Sequence, residues 1–125
     1  MPTIRENLLR AIQLVEDEPA QLLDLSSIVR ETGCGTLHCV IGLCVTDPFF
    51  RDQGLRMYGW MLMVGEQIAG RGLPPMFGTD AWDRLFHRRG WGTWDQPWLD
   101  PEDGHITDKE LALMRLNKQL EEYPE

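Results

Sequence analysis

All three cysteines and one of the three histidines fall in one short run, Gly33-Cys34-Gly35-Thr36-Leu37-His38-Cys39-Val40-Ile41-Gly42-Leu43-Cys44. Thiolates and imidazoles are zinc ligands, and with His87 or His105 from elsewhere the run supplies enough donors for one ion. The spacing argues against it. Structural zinc sites pair ligands as C-x2-C or H-x3-H, whereas these cysteines read C-x4-C-x4-C. On a helix, Cys39 and Cys44 would point roughly 140° apart, at about 100° per residue. Only Cys34, in the glycine turn, could meet His38 or Cys39. The second chemistry is that of a reactive thiol. As the third helical residue after a Thr36 cap, Cys39 would sit among free backbone N–H groups, which favour a thiolate. His38 would point elsewhere on that helix, and no aspartate or asparagine is placed by a motif. The cysteines therefore read as small buried hydrophobes. No catalytic residue, metal ligand or cofactor is assigned. A metal- or thiol-dependent protein built on Cys34 and Cys39 stands as the alternative.

The tryptophans form the other notable group. There are five, three of them in Trp91-Gly92-Thr93-Trp94-Asp95-Gln96-Pro97-Trp98. Tryptophan is enriched at binding hot spots, and loops that present aromatic rings from a rigid scaffold are common contact surfaces. Rings that fold back over a small core are the competing reading. Acidic residues follow directly, so Trp91, Trp94 and Trp98 with Asp95, Asp100 and Asp103 form the expected partner-binding surface. Asp100-Pro101-Glu102-Asp103-Gly104 lacks the D-x-D-x-D-G order and distal glutamate of a calcium loop and reads as a solvated turn.

Other chemistry is missing from the sequence. Gly70-Arg71-Gly72 is not followed by G-K-[ST], and no G-x-G-x-x-G, G-x-S-x-G or H-E-x-x-H occurs. The net charge of −8 disfavours nucleic acid and anionic membrane, which need clustered Lys and Arg. The apolar stretches Leu37–Val45 and Met57–Val64 are too short to cross a bilayer, which takes about 20 residues. Met1 to Glu18 mixes apolar and charged residues, unlike a signal peptide. An odd number of cysteines without an export signal points to the cytoplasm and reduced thiols.

These groups must be positioned by a chain of 125 residues, 42% hydrophobic, which suits one domain over 1–125. Thr3-Ile4-Arg5-Glu6 is a capping box, followed by Ile4, Leu8, Ala11, Ile12 and Val15 on one helical face up to Pro19. Ala20 to Arg30 is too densely apolar for either period. Thr36 is expected to cap a helix to about Val45, stopped by Thr46-Asp47-Pro48, with Phe49 to Gly54 as a loop. Leu55 to Ala69, rich in Met and Leu, favours helix over strand, though Gly59 and Gly65 weaken both. Gly70-Arg71-Gly72-Leu73-Pro74-Pro75 reads as a break. Thr79 is expected to cap a helix from Asp80 to about Arg88, with Ala81, Trp82, Leu85 and Phe86 inward. Gly90 to Gly104 is irregular. Thr107 and Glu110 form a second capping box for a helix to about Tyr123, lined by Leu111, Leu113, Met114, Leu116 and Leu120. The expected fold is mainly α: a compact irregular bundle of four or five helices with turn-rich loops and room for a small β-hairpin.

Cys34-Gly35-Thr36-x-x-Cys39-Val40-Ile41-Gly42 resembles the C-G-T-x-x-C-[IV]-[AI]-G motif of small uncharacterised proteins encoded by bacteriophages, plasmids and bacterial genomes. Asp24-Leu25-Ser26 matches their D-[ML]-S segment. Ala81-Trp82-Asp83-Arg84-Leu85-Phe86 with Trp91 resembles their A-x-x-L-F segment and following tryptophan, with one residue more between Ala81 and Leu85. His38 stands where a small residue is more usual. The resemblance spans residues 22–98 with gaps. It implies an accessory protein of a mobile element and transfers no catalytic residue. The expectation is therefore a non-enzymatic acidic protein, a monomer or homodimer in the host cytoplasm. It would bind and modulate a host protein, in its sharpest form as an inhibitor of a host defence complex. A small structural or scaffold component is the remaining alternative.

Overall fold

The computed structural model describes residues 2–19, 29–32, 35–38, 40–58, 61–81, 85 and 108–124. It is mainly α with two small antiparallel sheets. The order is α1 (Ile4–Asp17), β1 (Val29–Thr32), β2 (Gly35–His38), α2 (Val40–Thr46), α3 (Pro48–Arg51), β3 (Leu55–Tyr58), β4 (Met61–Val64), β5 (Gln67–Ile68), α4 (Ala69–Phe77) and α5 (Asp108–Glu121).

Helix α1 begins as its sequence dictates. The Glu6 N–H donates to Thr3 Oγ1 at 3.1 Å, and the Thr3 N–H donates to Glu6 Oε1 at 3.0 Å, closing the capping box. Its face of Leu8, Ala11 and Val15 is fully buried. It packs antiparallel to α5, and each end of the pair is tied. Lys109 donates to the Glu16 and Glu18 carbonyls at 3.0 and 2.8 Å, satisfying acceptors that the end of α1 leaves open. At the other end Arg5 donates to the Tyr123 carbonyl at 3.2 Å. Leu111, Ala112 and Leu116 of α5 join the same core. The Thr107 half of the second capping box lies outside the described residues.

Several expectations are corrected. Gly35–His38 is a strand, not the start of a helix capped by Thr36. Thr36 pairs with Glu31 across the β1–β2 ladder, and α2 begins at Val40. The described ladder runs from Val29 opposite His38 to Thr32 opposite Gly35. Phe49 to Gly54 is not all loop, because Pro48 opens the one-turn helix α3 and buries Phe50. Proline is well suited there, having no N–H to lose in a first turn.

Leu55–Ala69 is a meander rather than a helix. Strands β3, β4 and β5 form a sheet in that order, with Leu55 opposite Val64, Arg56 opposite Met63, and Met63 opposite Ile68. Met57–Val64 is apolar at every position but Gly59, so it fits either period. Gly65-Glu66 is a turn between β4 and β5, and the antiparallel registers make the segment a sheet. Finally, Gly70–Pro75 lies inside α4. Pro74 and Pro75 remove two helical donors. Burial of Leu73, Met76 and Phe77, spaced one turn apart, outweighs that loss. Gly72 is required where α4 crosses β4, since a Cβ there would come within 2.7 Å of Val64 Cβ.

The start of the helix expected from Asp80 is corrected too: Ala81 is helical, and of the residues after it in the expected span only Leu85 is described. Thr79 and Asp80 form a turn, with Asp80 at φ 53°, so Thr79 is no N-cap. Its N–H instead donates to the Tyr123 hydroxyl at 2.8 Å. Ala81 and Leu85 are buried as expected, while Trp82 and Phe86 lie outside the described residues.

Candidate functional site

The expected partner-binding residues Trp91, Trp94, Asp95, Trp98, Asp100 and Asp103 lie outside the described residues, as do Cys34, Cys39, His87 and His105. Cys44 sits on α2, fully buried in the core beside Leu8 and Val40 in the same apolar cluster. Among the described residues no group of three or more His, Cys, Asp or Glu side chains is placed to hold a metal ion. Two other surfaces are organised enough to bind something.

The first is the outer face of the β3–β4–β5 sheet. Paired residues in an antiparallel sheet share a face, and alternate residues along a strand oppose it. Leu55 and Leu62 point to the core. Arg56, Met63 and Ile68 make one row on the opposite face, and Tyr58 stands in the next. Tyr58 is 69% exposed and Ile68 50% exposed. Arg56 is held in place twice: it donates through Nε and Nη2 to the Gly65 carbonyl at 3.2 and 2.8 Å, and its guanidinium lies 5.8 Å from the Tyr58 ring centroid. A cation over an aromatic face at that range is attracted by the ring quadrupole. The alternation Leu55-Arg56-Met57-Tyr58 was the signal for this face, and the surrounding methionines obscured it.

The second surface is a half-open cleft of about 210 Å³ where α1, the turn after α3, β4–β5 and α4 meet. Its walls include Val64, Pro75 and Met76, and its polar groups are Asn7, Gln53, Gln67 and Arg71. Asn7 is 1% exposed. Its Nδ2 donates to the Met76 carbonyl at 2.9 Å, and its Oδ1 accepts from Gln53 Nε2 at 2.9 Å. Gln53 Nε2 donates its other hydrogen to the Phe49 carbonyl at 3.1 Å. Both amides are thus fixed in orientation, with one Asn7 N–H and the Gln53 Oε1 acceptor left over. No single stretch of sequence announces this cleft, because its residues come from four separate elements.

The turn carrying Gln53 is anchored by an ion pair. Arg10 donates from Nη2 to Asp47 Oδ1 at 2.7 Å and from Nε to Oδ2 at 3.0 Å, a bidentate geometry. Asp47 is 6% exposed, while the Arg10 side chain is 41% exposed. The hydrogen bond to Asp47 raises the Arg10 pKa above its ordinary value, against a smaller opposing effect of desolvation. A cation whose folded pKa is raised gives stability that is complete below its unfolded pKa and lost only above it. Arg10 therefore contributes no pH dependence to stability in the neutral range. Asp47→Ala is expected to cost about 1 kcal/mol, the upper range for a solvent-screened pair. Urea unfolding checks it, and a loss above about 3 kcal/mol would show that Asp47 does more than hold Arg10.

Among the described residues, no helix is long and apolar enough to cross a membrane. Comparison with protein-family models, curated proteins and solved structures finds no match for this chain.

Proposed function

We propose that the chain is a non-enzymatic, acidic accessory protein of a phage or mobile element that binds and modulates a host protein in the host cytoplasm. An inhibitor of a host defence complex is its sharpest form. The observation that carries the reading is the outer sheet face, with Tyr58 and Ile68 exposed beside a pre-positioned Arg56. Exposed aromatic and arginine side chains on a rigid element suit a contact surface, because little rotamer freedom remains to be lost on binding. Arg56 is the single charged residue in those rows. The complementary partner segment is therefore apolar, with a carboxylate set against the guanidinium. The net charge of −8 supports a protein partner over nucleic acid or anionic lipid. The Trp91–Trp98 loop with Asp95, Asp100 and Asp103 is proposed as a second contact region of the same partner.

The test is quantitative binding to the purified host protein captured by the immobilised chain. Tyr58→Ala is expected to weaken binding at least tenfold, with far-UV circular dichroism and melting temperature unchanged. Trp94→Ala and Trp98→Ala are expected to act in the same direction. Full affinity in the folded Tyr58→Ala protein would rule out the sheet face as the contact.

A further inference from the structure

We propose that the cleft between α1, the turn after α3, β5 and α4 binds the C-terminal carboxylate end of a peptide chain. This does not rest on the outer-face reading, whose residues point away from the core on the other side of the sheet.

Charge is the first argument. Among the described residues, Arg71 is the single charged one lining the cleft. It is exposed, and no hydrogen bond or ion pair among the described residues engages it. It stands in the first turn of α4, whose N-cap, Ile68, gives no side-chain hydrogen bond and whose first turn holds no acid. The positive end of that helix dipole thus adds to the guanidinium rather than being neutralised. One guanidinium matches one carboxylate in a bidentate pair. A phosphate carries more charge than one lining cation neutralises.

Polar groups supply the second argument. Asn7 lines the cleft while almost completely buried, and its Nδ2 spends only one of its two hydrogens, on Met76. Gln53 spends both Nε2 hydrogens within the protein, so its Oε1 remains an acceptor. A donor and an acceptor fixed beside an anion-binding group match the carbonyl and N–H of a peptide unit next to a carboxylate.

Size and lining complete it. Drug- and cofactor-sized sites run from about 300 to 1,000 Å³. A space of about 210 Å³ is below that range and suits one terminal residue. Val64, Pro75 and Met76 give that residue's side chain an apolar wall.

The test is calorimetric titration of the full chain with three probes: the peptide Gly-Ser-Ala-Leu with a free C-terminus, the same peptide amidated, and N-acetylleucine. The free acid is expected to bind at least tenfold more tightly than the amide, and more tightly than N-acetylleucine. Arg71→Met is expected to abolish the preference for the acid. Arg71 is exposed and makes no hydrogen bond or ion pair among the described residues, so this variant is expected to keep the fold, which an unchanged melting temperature checks. Arg56→Met, on the outer face, is expected to leave the preference intact. No binding of the free acid, equal binding of acid and amide, or a preference that survives Arg71→Met would overturn the proposal. Binding of N-acetylleucine as tight as that of the peptide would overturn it too, by making the site one for a small acylated metabolite.

Discussion

Replacing Phe50 with alanine is expected to cost about 4 kcal/mol, the range for removing a fully buried aromatic ring. Phe50 is completely buried on the single turn of α3. Its ring meets Phe49 edge-on at 5.3 Å between centroids and Phe77 at 5.3 Å with a 40° tilt. It therefore joins α3 to α4 through a side chain rather than through backbone. The loss combines transferred apolar surface, the ring pairs and the void left behind, because neither Phe49 nor Phe77 can move far without breaking its own packing. Thermal unfolding should show a fall in melting temperature on the order of 15 °C. Phe50→Leu, which fills most of the space, should recover more than half of it. If alanine costs less than about 1.5 kcal/mol, Phe50 is not the pillar between these elements. Because Gln53 follows on the same turn, the alanine variant should also weaken carboxylate-peptide binding in the cleft.

The second large effect is at Gly78. This residue ends α4 at φ +101°, a conformation that residues with a Cβ rarely adopt. An added Cβ would come within 2.5 Å of Tyr123 Cε2 and 2.8 Å of Gln119 Nε2. Those two side chains of the C-terminal segment close the α4 turn. Gln119 donates to the Phe77 and Thr79 carbonyls at 3.1 and 3.0 Å, and the Tyr123 hydroxyl accepts from the Thr79 N–H. Gly78→Ala thus meets backbone strain and overpacking together, for an expected loss of about 3 kcal/mol. A double-mutant cycle with Tyr123→Ala separates the causes. Alanine at 78 should cost clearly less when the ring is absent, and the remainder measures the backbone. Strict additivity would mean that the ring yields freely and strain alone acts.

The sequence was most legible where one signal stood alone. Helix α1 could be read because a capping box precedes a single apolar face. The body of α5 could be read for the same reason. The segment Leu55–Ile68 could not, since its apolar stretch Met57–Val64, broken only at Gly59, carries no period to choose by, and Gly65 marks a turn only once strands are assumed. Helix α4 was hidden by Gly70, Gly72, Pro74 and Pro75, each a poor helix former. What overrides them is tertiary: Leu73, Met76 and Phe77 reach the core only from a helix, and Gly72 lets that helix lie against Val64. The Thr36 cap failed because a β-branched threonine suits a strand as well as a helix N-cap, and here it pairs with Glu31. The cleft was out of reach altogether. Asn7, Gln53 and Arg71 become neighbours only after the fold exists, and an asparagine or glutamine in isolation says nothing of its partners.

The pairing of α1 with α5 bears on how the chain is made. Residues joined by the Arg5–Tyr123 hydrogen bond are 118 positions apart, and those joined by Lys109 are more than 90 apart. At a synthesis rate of about 5–20 residues per second, the Leu8, Ala11 and Val15 stripe waits roughly 5–20 s for its cover. During that interval the nascent protein displays an apolar helix to ribosome-associated chaperones. A product halted before Leu111 lacks the α5 part of that cover and has only α2 and α4 to pack against α1.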